Sequence, residues 1–202
     1  MKRVYYSFIF LLFSFGCSSI EEDKSMLQES INNYEGYHPY DAKDFPLGNH
    51  TEDRYQADYD FYGNLLEEIN RIQSSNLSKE DRISWKLLKF LVEDHRANFE
   101  FKTHLNPLLS DAGFHNSLVY RVRPLTSMKQ SKDYLKMLQS IPLFVDQNII
   151  LLRKGLEAGV SQPIVIFEGY ESTYEKHITK IVEDNFYFSP FKNLPAQLSE
   201  KE

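Results

Sequence analysis

Residues 133–163, DYLKMLQSIPLFVDQNIILLRKGLEAGVSQP, constrain the fold more than any other part of the chain. Val145, Ile149, Leu152 and Leu156 recur at helical intervals, which places them on one face of an amphipathic helix. Asp146, Arg153, Lys154 and Glu157 fall mostly off that stripe. Pro142 suits a first helical turn, where a missing N–H costs nothing, and Gly159 suits the left-handed residue that closes a helix. The stretch therefore reads as two helical pieces joined at Pro142, the second spanning roughly 142–158. Pro163 reads as the first-turn proline of a third helix capped by Ser161 or Gln162.

A helix with one apolar side needs partners, and 202 residues of which 42% are hydrophobic supply them. The formal net charge of −6 argues against a nucleic-acid partner, whose phosphates call for clustered Lys and Arg. Without residues 1–16, which hold Lys2 and Arg3 and no acid, 21 basic face 29 acidic residues, a net charge of −8.

Lys2 and Arg3 precede the apolar run 4–15, a charged n-region and an h-region of signal-peptide length, shorter than the roughly 20 residues a spanning helix needs. The run ends at Gly16-Cys17-Ser18-Ser19, and Cys17 is the only cysteine. This resembles a bacterial lipoprotein signal, with residues 1–16 removed and Cys17 lipidated, although Ser14 and Phe15 depart from the usual lipobox. An ordinary secretory signal is the plainer reading. Downstream of Cys17 no thiol remains for a disulfide or a thiolate zinc site. The lipid anchor makes a membrane the expected partner, and Ser18 with Glu21, Glu22 and Asp23 resembles the sorting signals of some Gram-negative outer-membrane lipoproteins.

Residues 17–51 read as a tether and irregular lead-in, with Gly36, Pro39, Pro46 and Gly48 and only a short helical pattern at Leu27, Ile31 and Tyr34. The helical domain is expected over 52–202. Tyr55, Tyr59, Tyr62, Leu66 and Ile69 mark a first helix ending near Ser74. Ser78 and Asp81 make a capping box for a second, with Ser84, Leu87, Leu88, Leu91, His95 and Phe99 on one side. Lys89 with Glu93 and Arg96 with Glu100 are spaced to pair along it. Residues 107–124 lose the period and read as a long loop with a short helix near 118–122. Ile164, Phe167, Tyr174, Ile178 and Ile181 define the expected last helix, whose start at 164–166 also reads as a short strand. The fold class is all-α, an irregular multi-helix assembly.

In their order and separations, LSKEDRISWKLLKFLVED, FEFKTHLNPL, the organising stretch and FYFSPFKNLP resemble the N-terminal part of the bacterial domain-of-unknown-function family numbered 885. The resemblance covers roughly 50–195, and its most specific piece holds Tyr134, Leu135, Pro142, Gln147, Arg153, Gly155, Gly159 and Pro163. It implies a long, largely helical exported protein or lipoprotein of zincin-like metallopeptidase character, with an HExxH helix in the C-terminal half. Here none of the six histidines sits in an HExxH, so no catalytic or metal residue carries over and zinc is implied only for that other half. The family's C-terminal half is then an expected partner.

A zincin needs two imidazoles a helical turn apart with a Glu beside the metal-bound water. His95 instead reads as a core or rim residue, and His104 and His115 stand on either side of Pro107 without an identifiable third ligand. Glu93 with Asp94, and Glu67 with Glu68, read as solvated helix surface. Trp85 reads as core, and Tyr34, Tyr37 and Tyr40 as loop anchors rather than a sugar-stacking platform. Asn49-His50-Thr51 and Asn76-Leu77-Ser78 match a glycosylation triplet by pattern only. The leading expectation is the N-terminal helical region of an exported zincin-like protein, cut before the HExxH half and inactive by itself. The alternative is a surface lipoprotein that binds glycans or peptides.

Overall fold

Side chains that repeat on one helical face dictate each packing layer of this chain, described here by a computed structural model over residues 2–108, 113–175, 177–192 and 194, with side chains from residue 19 onward. The described residues form seven α-helices and six short 3-10 turns, with no strand among them. They divide into two compact units, one of Met1–Pro39 with Tyr55–Phe101 and the other of Tyr40–Arg54 with Lys102–Glu202.

In the first unit three helices share one core: α1 (Lys2–Gly36), α2 (Glu52–Arg71) and α3 (Lys79–Glu100). Leu27 from α1, Tyr62, Leu65 and Ile69 from α2, and Leu88 and Val92 from α3 are buried together with Ile72 and Leu77 of the connection. Residues 20–36, expected to be irregular, belong instead to α1. The short pattern at Leu27, Ile31 and Tyr34 is the visible part of a face that also buries Asp23 and Ser30, two polar residues that hide the periodicity. Asp23 earns its burial as a cap for the turn after α2, accepting from the Gln73 amide at 3.0 Å and from Asn76 Nδ2 at 2.7 Å.

The start of α3 follows its sequence signature. Ser78 Oγ accepts from the Asp81 amide at 3.0 Å and donates to the Asp81 carboxylate at 2.9 Å. Its buried face is rotated from the expected one: Leu88 and Val92 are buried and Trp85 packs beside them, whereas Ser84 and Leu87 are exposed. The indole of Trp85 fixes the rotation by donating to the Ile69 carbonyl at 3.0 Å. Lys89–Glu93 and Arg96–Glu100 pair as their spacing predicts, at 3.9 and 2.9 Å.

The second unit is built on α5 (Met128–Glu157), which runs unbroken through Pro142. Two helical pieces joined at the proline are therefore replaced by one. Tyr134 and Met137 before the proline and Phe144 and Leu151 after it are buried on the same helix, and that joint burial outweighs the roughly 3 kcal/mol that an interior proline costs. Ser127 caps the start, accepting from the Gln130 amide at 3.2 Å. The end closes as expected on Gly159 at φ 73°, with the Val160 amide donating to the Gly155 carbonyl and the Gly159 amide to that of Leu156.

Beyond Pro163 the expected long helix is absent. Ile164–Phe167 is a 3-10 turn, Gly169 turns the chain left-handed at φ 72°, and among the described residues only Glu171–Glu175, α6, is α-helical before the 3-10 turns Val182–Asp184 and Phe186–Phe188. The β-branched run at 164–166 and the glycine both disfavour helix continuation. The loop between α3 and α5 holds α4 (Phe114–Ser117) and the 3-10 turn Leu118–Arg121, near the short helix expected there. A last short helix, α7, covers Ser189–Lys192.

Candidate functional site

The residues that single out the organising stretch gather on and around α5, and their contacts explain their identities. On an apolar helix face the buried positions are Phe144, Gln147, Asn148, Leu151 and Gly155, one position off the expected stripe of Val145, Ile149, Leu152 and Leu156. Leu156 is 68% exposed, and Leu152 is only partly covered. Polar and small residues on the inward side caused the offset, since periodicity counts only apolar ones.

Each inward polar group has a defined partner. Gln147 Oε1 accepts from the His50 amide at 3.0 Å, while Asn148 Nδ2 donates to the Phe144 carbonyl at 2.8 Å. The Tyr134 hydroxyl donates to the Tyr187 carbonyl at 2.9 Å, and its ring lies 5.6 Å from that of Phe191. Burial, with Tyr187 beside it, pushes the Tyr134 hydroxyl up to about 12. Gly155 lies where a Cβ would meet the Leu105 carbonyl oxygen at 2.5 Å, so only glycine lets the 3-10 turn Thr103–Leu105 lie against α5. Arg153 is exposed, and Pro163 stands just before the 3-10 turn at 164.

The 40–54 segment completes this assembly, and sequence reading missed its part. Asn49 Oδ1 accepts from both the amide and the hydroxyl of Thr51, and Thr51 Oγ1 accepts from the Arg54 amide at 3.3 Å, so the triplet read as a glycosylation pattern is a helix cap. An Asn-x-Thr just before acidic Glu52 and Asp53 was the available signal. Lys154 donates to the Glu52 carboxylate, and that hydrogen bond raises the ammonium above its ordinary value.

His95, His50 and His115 are engaged separately. His95 Nε2 is 3.1 Å from the Tyr34 hydroxyl, and its ring stacks on Tyr62 at 4.5 Å. His50 Nε2 is 3.0 Å from the Leu47 carbonyl, and burial lowers its pKa first of all, with Arg54 adding to the effect against that hydrogen bond. His104 is buried, while His115 Nε2 lies 2.8 Å from Thr173 Oγ1 with Tyr170 and Tyr174 beside the ring. The structure does not bring His104 and His115 into a ligand set: among the described residues no three His, Cys, Asp or Glu side chains are grouped to hold a metal. These residues do not fit a zincin zinc site.

Trp85 packs in the first core as expected, and Tyr37 stacks on Phe61 at 3.7 Å while donating to Asp58. Tyr40 meets Phe45 edge-on at 6.0 Å. Cys17, the expected lipidation site, falls in α1, and its side chain lies outside the described part. Among the described residues no helix is long and apolar enough to cross a membrane.

The structure thus presents a helical scaffold in which the distinctive residues of 134–163 hold the second unit together rather than converge on a reacting atom. A family model described as "Bacterial protein of unknown function (DUF885)" matches residues 32–202, a span that takes in the end of α1, all of α2 and α3, and the whole of that assembly. The chain belongs to the DUF885 family. No curated protein and no solved structure matches it. Membership places the α5 closure at Gly159, the Gly155 contact and the Gln147 hydrogen bond within the DUF885 region.

Proposed function

We propose that these residues are the helical, non-catalytic region of an exported, lipid-anchored DUF885 protein of zincin-like peptidase type, and that its metal-binding helix is contributed from outside them. The observation that carries this reading is the surface left by residues 163–186. Ile164 is 80% exposed and Ile178 75%, with Val165, Tyr174, Ile181, Val182 and Phe186 also exposed. Exposed apolar side chains gathered in one stretch of sequence mark a surface that another element covers. Phe191 and Tyr187 of the same region instead pack on the second core, which anchors the segment while its upstream part stays bare. Membership of DUF885, together with the absence of an HExxH from the sequence, supports the assignment of the chemistry elsewhere. The n-region, the h-region and Gly16-Cys17 support export and lipid attachment at Cys17 to a Gram-negative outer membrane or the periplasmic face of another membrane.

The test is metal content and peptide hydrolysis by the purified 202-residue chain, alone and mixed with an HExxH-bearing C-terminal half of a DUF885 protein. Alone it is expected to hold no stoichiometric zinc and cleave nothing, while mixing protects amides of 163–186 from hydrogen exchange. Zinc-dependent cleavage by the chain alone overturns the reading, as does unchanged exchange on mixing. Mass spectrometry of membrane fractions is expected to find a diacylglyceryl-modified Cys17 as the new N-terminus; an unmodified soluble product rules the anchor out.

A further inference from the structure

The outer face of α3 carries a second apolar surface, set apart in sequence from the one just described. Ile83, Leu87 and Phe90, at helical spacing, are 62, 56 and 63% exposed, and they lie on the side of α3 away from buried Leu88 and Val92. A sequence that puts Trp85, Leu88 and Val92 inside would ordinarily place polar residues at 83, 87 and 90.

Charge along the helix says what fits there. Among exposed side chains, residues 79–89 carry Lys79, Arg82 and Lys86 against Glu80, whereas residues 90–100 carry Glu93, Asp94 and Glu100 and no base. The two halves of the exposed surface are thus of opposite sign about a midpoint beside Phe90. Lys86 and Glu93 are seven residues apart, hence on the same flank of the stripe, and they stand equally far from that midpoint. Both are exposed, and Glu93 is engaged within its own helix only by Lys89 at 3.9 Å. A surface complementary to its own reversed copy is the signature of a two-fold interface.

We infer that α3 docks against α3 of a second copy of this chain, antiparallel about a two-fold axis beside Phe90. Phe90 then packs near the axis, Ile83 of each copy lies over the stretch around Ala97 of the other, and each Lys86 faces the other copy's Glu93. Helix dipoles oppose one another in that arrangement, and the antiparallel sense follows from the charge order.

Sedimentation equilibrium of the full chain in density-matched detergent tests this. A reversible dimer is expected. Lys86→Glu or Glu93→Lys alone is expected to weaken it at least tenfold by setting like charges together, and the double variant Lys86→Glu/Glu93→Lys to restore it. Circular dichroism should be unchanged, since both positions are exposed. A chain that stays monomeric overturns the inference. So does self-association that neither reversal changes, which would move the contact to another surface such as 163–186. Weakening by both single changes without rescue by the double variant overturns the two-fold antiparallel register and points to a different protein partner on this face.

Discussion

Gly155 of α5 and Leu105 of the neighbouring 3-10 turn approach so closely that a Cβ on the glycine would stand 2.5 Å from the Leu105 carbonyl oxygen and 3.0 Å from that of Val160. Both obstacles are backbone atoms, so no side-chain rotation relieves them. At an open helical site Gly→Ala gains about 1 kcal/mol, but overpacking against fixed backbone costs about 1–3 kcal/mol and the turn must move. Gly155→Ala is expected to lower stability by about 1 kcal/mol or more, read as a lower urea midpoint. A raised midpoint would mean that the turn does not rest on α5.

The one-position offset of the buried face gives a sharper test. Leu151 is 1% exposed, whereas Leu152 is partly covered. Leu151→Ala is expected to cost about 2–5 kcal/mol and Leu152→Ala less than half of that, measured by chemical denaturation. Equal losses would return the face to the stripe read from apolar spacing alone.

That comparison shows what sequence made legible. Caps, spaced ion pairs and the closing glycine were readable at Ser78, Lys89 and Gly159 because each depends on residues within one helical turn. The rotation of α3 and α5 was not, because it depends on hydrogen-bond partners distant in sequence. The Ile69 carbonyl draws Trp85 inward, and the His50 amide draws Gln147 inward. The packed part of α1 was hidden for the same reason, since Asp23 and Ser30 occupy inward positions that an apolar count scores as solvent. The distinctive residues of 134–163 were legible as a set, but their role in holding Leu105, His50 and Tyr187 required tertiary structure.

Asp23 tests whether the packed part of α1 contributes to stability. Its carboxylate is the acceptor for the Gln73 amide and Asn76 Nδ2, and its residue is only 7% exposed. Asp23→Ala leaves both donors without it and is expected to cost about 1–3 kcal/mol, with Asp23→Asn costing less because one acceptor oxygen remains. Thermal unfolding monitored by helix signal distinguishes the two; an Asp23→Ala protein as stable as the parent would show that α1 does not depend on this contact.

Tyr134 supplies an alkaline signature. Its folded pKa of about 12 lies above the ordinary 10.0, so the stability tied to its neutral form is complete below pH 10 and is lost as pH rises toward 12. Tyr134→Phe removes the hydrogen bond to the Tyr187 carbonyl, at about 1 kcal/mol near neutral pH, and also that part of the alkaline loss. The difference between parent and variant stability is therefore expected to shrink between pH 10 and 12. A constant difference across that range would place the hydroxyl in water.

His50 supplies the opposite sign. Its ring sits edge-on to Phe144 at 5.0 Å with Nε2 on the Leu47 carbonyl, and the Nε2–H neutral tautomer already satisfies that carbonyl without a charge. Burial and the nearby Arg54 both disfavour the imidazolium, so the folded pKa lies below the unfolded 6.5. Below pH 6.5 the unfolded chain takes up a proton that the folded chain resists. Stability is then full above pH 6.5 and falls as pH drops through the folded value. His50→Gln keeps the backbone amide that donates to Gln147 and removes the titrating ring, so it is expected to flatten the slope of stability against pH between 6.5 and 5 while lowering stability at pH 7.5. The readout is the urea midpoint at half-unit pH steps for parent and variant, with carboxylates common to both cancelling in the difference. Parallel profiles would mean that His50 titrates in the folded protein as it does in the unfolded one, and that its ring is open to water.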